Sequence, residues 1–221
     1  MTTRRVGLLD ADALDGLPAR CASCVFWELG GPRPATNGVT AEGTATKRAW
    51  VAGETLADGP PGRGIRIDDE VVAYVLFAPA GALAGRGPAV PTPSPDALVL
   101  ATTWVEPQWR QHGLGRLLVQ AALREAHRRE VGAVEAWGDR RFSEGGCVLP
   151  AAWLLHEGFV VHREHPRHPL MRIDVRRTAA WADSLEQAVA ELLERVRPSL
   201  ARNGAPVPSP AGPVRRGAST P

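Results

Sequence analysis

The sequence predicts an α/β (α+β) fold, a mixed sheet with helices on both faces. Strand and helix patterns follow one another in the order β-α-α-β-β-β-α-β-α-β-β, which one sheet can satisfy only if helices cover it. The run 97–105 (ALVLATTWV) is almost wholly apolar and β-branched, as expected of a strand covered on both faces. A strongly amphipathic helix pattern follows within ten residues. At 221 residues, 44% hydrophobic and 23% charged, the chain has the composition of an ordinary soluble domain.

The elements can be placed in order. Residues 4–9 read as a short strand and 11–20 as a helix, with Asp10 or Asp12 as N-cap. A helix is expected over 42–56, ended by the Asp58-Gly59-Pro60-Pro61 cluster. Residues 64–68 and 70–77 form a hairpin through Asp68-Asp69. After the buried strand 97–105 comes a helix over 114–130. Leu114, Leu117, Leu118, Ala121, Ala122 and Ala126 make its apolar stripe, with Arg128 and Arg129 at its negative end and Gly132 beyond it. Residues 133–137 form a strand, 149–156 a short helix with Pro150 near its start, and 159–162 and 170–175 two closing strands. A last amphipathic helix is expected over 182–196.

The expected domain is therefore 1–178, interrupted by a long Pro/Gly-rich loop at about 78–96. A C-terminal helical segment, 179–197, and a disordered tail, 198–221, follow. Residues 197–221 hold six prolines, three glycines and no apolar period, and cannot bury enough surface to offset chain entropy. Of the net charge of +2, this tail contributes four arginines and no acid, which leaves a slightly acidic body. That balance argues against a nucleic-acid partner. No apolar run approaches the ~18 residues of a membrane span, and the first ten residues lack the apolar block of a signal peptide. Three cysteines, Cys21, Cys24 and Cys147, are too few for a disulfide scaffold and suit a reducing, cytoplasmic setting.

The segment 105–116, VEPQWRQHGLGR, carries the chemistry. A buried strand runs into a loop with glycines at 113 and 115, and the loop opens a helix. The first turn of a helix has backbone N–H groups without internal partners and a partial positive charge, an anion cradle. Gly113 and Gly115 allow a phosphate to approach, and Arg110 and Arg116 can add charged hydrogen bonds. The Walker pattern fails for lack of Lys and Ser/Thr, and the dinucleotide fingerprint fails at Leu118.

The pattern [Q/R]-x-x-G-x-[G/A] is met by Arg110-Gln111-His112-Gly113-Leu114-Gly115. With the preceding Val105-Glu106-Pro107 and the later Gly158-Phe159 pair, the chain resembles the GNAT superfamily of acyl-CoA-dependent N-acetyltransferases over about residues 4–175. The Cys21–Glu28 segment is also similar to that of actinobacterial members. The resemblance implies a mostly antiparallel sheet, splayed between strands 97–105 and 133–137 at a cofactor slot. It implies acetyl-CoA as acyl donor, its pyrophosphate on the amides of Gln111, His112, Gly113, Leu114, Gly115 and Arg116 beside Arg110, and its pantetheine arm along Trp104 and Val105. The acceptor would be an amine.

The chain departs from that pattern at three places. Leu154 stands where many members have a tyrosine acid, Cys147 where asparagine is frequent, and residues 99–104 contain no carboxylate. Glu106, Asp96, Glu135 and His156 remain as base candidates, with Glu106 and Cys147 taken forward as catalytic candidates. Cys147 is either the proton donor to the departing thiolate or a small packing residue. An acyl-CoA-binding module without turnover is the competing reading. Metal is not expected, although three cysteines and a histidine would satisfy zinc chemistry. Cys21 and Cys24 are read as packing beside Phe26 and Trp27, a thioredoxin-like redox pair being disfavoured at the end of a helix. Of the seven tryptophans, Trp27, Trp50, Trp109 and Trp153 could line an acceptor pocket, Trp109 being expected in a partly exposed loop. The C-terminal helix could cover that site or form a homodimer.

Overall fold

The computed structural model describes residues 4–30, 40–84, 90–142 and 146–175. The expected C-terminal helix and tail lie outside them. Fourteen elements matter here. They are β1 (Arg4–Leu8), α1 (Ala19–Ala22), α2 (Phe26–Leu29), α3 (Ala41–Ala57), β2 (Gly62–Ile67), β3 (Glu70–Pro79), β4 (Ala97–Val105), α4 (Leu114–Arg128), β5 (Ala133–Asp139), β6 (Leu149–Pro150), α5 (Ala151–His156), β7 (Val160–Arg163) and β8 (Leu170–Asp174), with a 3-10 turn at Ala13–Gly16. The strands lie in the order β1-β2-β3-β4-β5-β8-β7, with β6 beside β5. All pairs are antiparallel except β4–β5 and β5–β6.

Local chemistry explains most boundaries. Asp68 and Asp69 both take positive φ, 49° and 67°, as a two-residue hairpin of the primed type requires. Thr40 caps α3, its side-chain oxygen accepting from the Gly43 amide at 3.0 Å. Where a helix was expected over 11–20, the chain makes the 3-10 turn, straightens at Leu17-Pro18 and starts α1. Proline at 18 has no N–H to continue a helix and instead occupies its N-cap. Asp10 still caps, accepting from the Ala13 amide at 2.9 Å. The helix expected from 149 likewise starts at Ala151, because Leu149 and Pro150 pair with β5.

The sheet has a core on each face. Phe77, Leu98, Leu100, Leu118, Leu154 and Phe159 pack under α4 and α5. Leu14, Trp27, Val51, Tyr74, Leu76 and Trp137 pack under the 3-10 turn, α2 and α3. The loop before β4 is pinned over its described second half. The Ser94 amide donates to Glu135 Oε2 at 2.8 Å and Trp137 Nε1 to the Pro91 carbonyl at 2.9 Å.

Candidate functional site

The site begins where the sheet comes apart. β4 stays on β3 along its whole length, to Val105 opposite Ala73. On its other side it meets β5 only at Ala97–Ala133, Leu98–Val134 and Val99–Glu135. Beyond Val99 the two parallel strands diverge, because β5 follows β8 and β6 instead. The resulting cleft, about 810 Å³, is walled by Thr102, Thr103, Trp104 and Val105 on the β4 side and by residues 146–150 and α5 on the other. The splayed sheet expected from the sequence is present.

The loop after β4 closes one end. The Glu106 amide donates to the Val72 carbonyl at 2.9 Å, which holds the strand's exit. Trp109 then turns inward and is buried at 7% exposure, so the expected partly exposed indole is a core plug. Arg110 Nε donates to the Val105 carbonyl, and His112 Nδ1 lies 2.7 Å from the Arg110 carbonyl. Gln111 and Gly113 take positive φ, 63° and 78°, which turns the chain onto the N-terminus of α4. Gly113 is the N-cap and offers no side chain, and the first helical bond runs from the Leu117 amide to its carbonyl. The amides of Leu114, Gly115 and Arg116 therefore precede the helix's own bonding.

The two glycines differ in why they are glycines. Gly113 needs positive φ. A Cβ on Gly115 would lie 3.2 Å from Trp153 Cζ2, so the Trp153 indole occupies the space that glycine leaves. Both glycines, with Gln111, Leu114, Arg110 and Arg116, line the cleft; His112 and Glu106 do not.

Charge in the cleft is mainly positive, from Arg20, Arg110 and Arg116. Among the described lining residues Glu157 is the one carboxylate. Its side chain is 6% exposed and accepts from Arg116 Nε at 3.1 Å, with His156 Nδ1 also at 3.1 Å. Glu157 was not singled out in the sequence; its one signal was its place immediately before Gly158-Phe159. Two of the base candidates are engaged elsewhere. Arg172 donates to Asp96 at 2.9 Å and to Glu135 at 2.9 Å, and the bond from Arg172 holds the Asp96 carboxyl below its ordinary range. Neither lines the cleft. Leu154 is fully buried, so the side chain at this position packs in the core.

Cys147 lies in the cleft wall, and its carbonyl accepts from Trp27 Nε1 at 3.2 Å. Trp27 in turn stacks on Trp137, centroids 5.3 Å apart and 10° between planes. Cys24 is buried in the core, and Cys21 packs together with Phe26 against the cluster that contains Trp27. The Cys147 side chain brings the Cys24 thiol down to about 6 against the effect of burial, aided by the Phe26 backbone and the Lys47 ammonium. Burial first, then Cys21, keeps Tyr74 protonated well above its ordinary value. Lys47 itself is buried, paired with Glu28 and donating to the Cys24 carbonyl at 2.8 Å. Among the described residues no group of three or more His, Cys, Asp or Glu is arranged to hold a metal ion. No described helix is long and apolar enough to cross a membrane. Of the tryptophans expected at an acceptor pocket, Trp109 and Trp153 line the cleft; Trp50 instead donates to the Ala82 carbonyl.

Residues 34–141 match the model of the Acetyltransferase (GNAT) family. Solved structures share the fold of this chain. A PaiA N-acetyltransferase from Thermoplasma acidophilum in complex with coenzyme A superposes with TM-score 0.53 at 11% identity, over 78% of this chain and 99% of that one. YncA from Salmonella typhimurium with its cofactor acetyl-CoA gives 0.52 at 14% identity, over 78% and 94%. An N-acetyltransferase from Staphylococcus aureus Mu50 gives 0.52 at 14%, over 78% and 99%. No curated protein matches the chain.

Proposed function

We propose that this protein is an N-acetyltransferase that moves an acetyl group from acetyl-CoA to a primary amine of a small molecule or protein. The observation that carries this reading is the divergence of β4 from β5 after Val99, which joins an open slot to the helix N-terminus at Gly113. The pyrophosphate would accept hydrogen bonds from amides between Gln111 and Arg116, with Arg110 adding charge. The pantetheine arm would lie along Trp104 and Val105 as a surrogate strand. Its thioester would then sit between the two walls, where the amine attacks the carbonyl carbon and the CoA thiolate leaves.

Such a transfer asks for positioning and for proton management at two atoms. Cys147 lines the cleft, and a thiol is largely protonated at neutral pH, so it is the proposed donor to the leaving sulfur. Glu106 enters only through a relaying water toward the amine, since its side chain is not among those lining the cleft. Titration with acetyl-CoA followed by a panel of amines, reading release of the CoA thiol, tests the proposal. Release that depends on an amine supports it, and failure to bind acetyl-CoA overturns it. Binding without release for any amine would favour an acyl-CoA-binding module, a reading for which the buried Leu154 in place of a phenol already speaks.

A further inference from the structure

The cleft is lined from both faces of the sheet. β4 alternates between the two cores, Leu98 and Leu100 facing α4 while Val99 and Ala101 face α2 and α3. The glycine loop and α4 stand on the first face. Arg20 reaches the cleft from the second. Its neighbours on α1, Cys21 and Ala22, pack with Trp104 against the cluster that contains Trp27 and Val148. A donor whose pyrophosphate rests on the amides before α4 fills the slot from the α4 face. An acceptor amine is left the opposite face, and there it meets Arg20.

The three cleft arginines are not equivalent. Arg116 Nε donates to Glu157 Oε2 at 3.1 Å, and Arg110 Nε donates to the Val105 carbonyl at 3.3 Å. Arg20 has no ion pair or side-chain hydrogen bond among the described residues. The one described carboxylate that lines the cleft, Glu157, is held by Arg116. A diamine or polyamine would therefore bring a second positive charge toward an unpaired guanidinium with no free acid to receive it, and like charges repel strongly in a slot shielded from water. A carboxylate meets the opposite condition, a planar guanidinium with two parallel donors to offer. Trp104 and Val148, which line the cleft on the same face as Arg20, are apolar and suit the hydrocarbon part of a small molecule.

We infer that the acceptor of this site is a small aminocarboxylate, a primary amine whose carboxylate is bound by Arg20. The inference rests on the proposed acetyl transfer and adds to it the acceptor class and the residue that selects it. Arg20 acts on specificity: it holds the carboxylate, and the free amine at the other end of the molecule faces the thioester.

The test compares amines in pairs, with and without the carboxylate: β-alanine against ethylamine, γ-aminobutyrate against propylamine, and L-phenylalanine against phenethylamine. With acetyl-CoA as donor, the carboxylate should raise kcat/KM by about tenfold or more in at least one pair, the worth of a hydrogen bond between charged groups. Arg20→Ala should bring that ratio close to unity with acetyl-CoA affinity kept, and Arg20→Lys should retain part of it. Amine basicity is common to all three proteins, so the change in ratio isolates the guanidinium. A diamine turned over faster than every aminocarboxylate, a ratio that survives Arg20→Ala, or loss of acetyl-CoA affinity in that variant would each overturn the inference and leave acetyl transfer standing. If no amine is acetylated, calorimetry of the same aminocarboxylates on the CoA-loaded protein separates the two readings. Binding weakened about tenfold by Arg20→Ala keeps the carboxylate site and overturns only the transfer, whereas equal or absent binding overturns both.

Discussion

At the scale of single residues, the two loop glycines separate by the kind of damage their replacement does. Gly115→Ala pushes a methyl group against the Trp153 indole, and overpacking of this kind costs about 1–3 kcal/mol. Thermal unfolding should register that loss, with weaker acetyl-CoA binding following from the displaced indole. Gly113→Val instead forces a β-branched residue to φ 78°, at a cost of about 1–2 kcal/mol. It should remove acetyl-CoA binding by calorimetry while unfolding stays cooperative; unchanged binding would refute the cradle. Leu154→Tyr places a phenol in a closed core and should destabilise by about 1–3 kcal/mol rather than supply an acid. Cys147→Ala should lower the maximal rate by roughly ten- to a thousandfold with acetyl-CoA affinity kept, if its thiol protonates the leaving sulfur. An unchanged rate would remove it from the chemistry. The G-x-G was legible because both glycines stand in an obvious strand–loop–helix. Why each is glycine was not, since Trp153 is distant in sequence and only folding brings it to Gly115.

The elements that could be read were those whose burial follows a period. β4 has the bounds expected for it, and α4 ends within two residues of expectation, because a continuous apolar run and a clean helical stripe each fit one structure. The four-residue helices α1 and α2 were harder, being too short to show a period. The same pattern misleads at Glu125, which stands among polar residues on α4 yet is 2% exposed. It accepts from Arg63 at 2.7 Å, Arg129 at 2.7 Å and Arg128, fastening α4 to β2. Burial opposes its charge, but the Arg128 and Arg129 hydrogen bonds prevail and hold the carboxyl below its ordinary value. A lowered carboxyl pKa contributes stability that is present above the unfolded value, ~4.3, and is lost as pH falls through the folded one. Wild-type denaturation curves should therefore weaken as pH drops below about 4.5, and Glu125→Gln should flatten that dependence. At pH 7, Glu125→Ala should cost about 3 kcal/mol, since it strips buried guanidinium groups of their partner.

For the whole molecule, acetyl-CoA that binds only the folded chain must raise its stability, by about 2.7 kcal/mol at a hundredfold excess over Kd. A melting temperature that does not move with added acetyl-CoA would contradict the assigned cleft. The glycine-loop end of the cleft was legible as a motif, whereas its other wall was not. Arg20, Cys147 and Glu157 come from separate segments with no shared spacing, and only the sheet order brings them together. The early parting of β4 from β5 has a further consequence in time rather than in space. One central strand holds two populations of amide hydrogens. Those on the β3 ladder exchange with solvent deuterium only through larger openings, while alternate amides from about Ala101 to Val105, which face the slot, exchange at loop rates. An extended donor lying in the slot would slow the second population to the pace of the first, so deuterium uptake along this short stretch reports occupancy residue by residue.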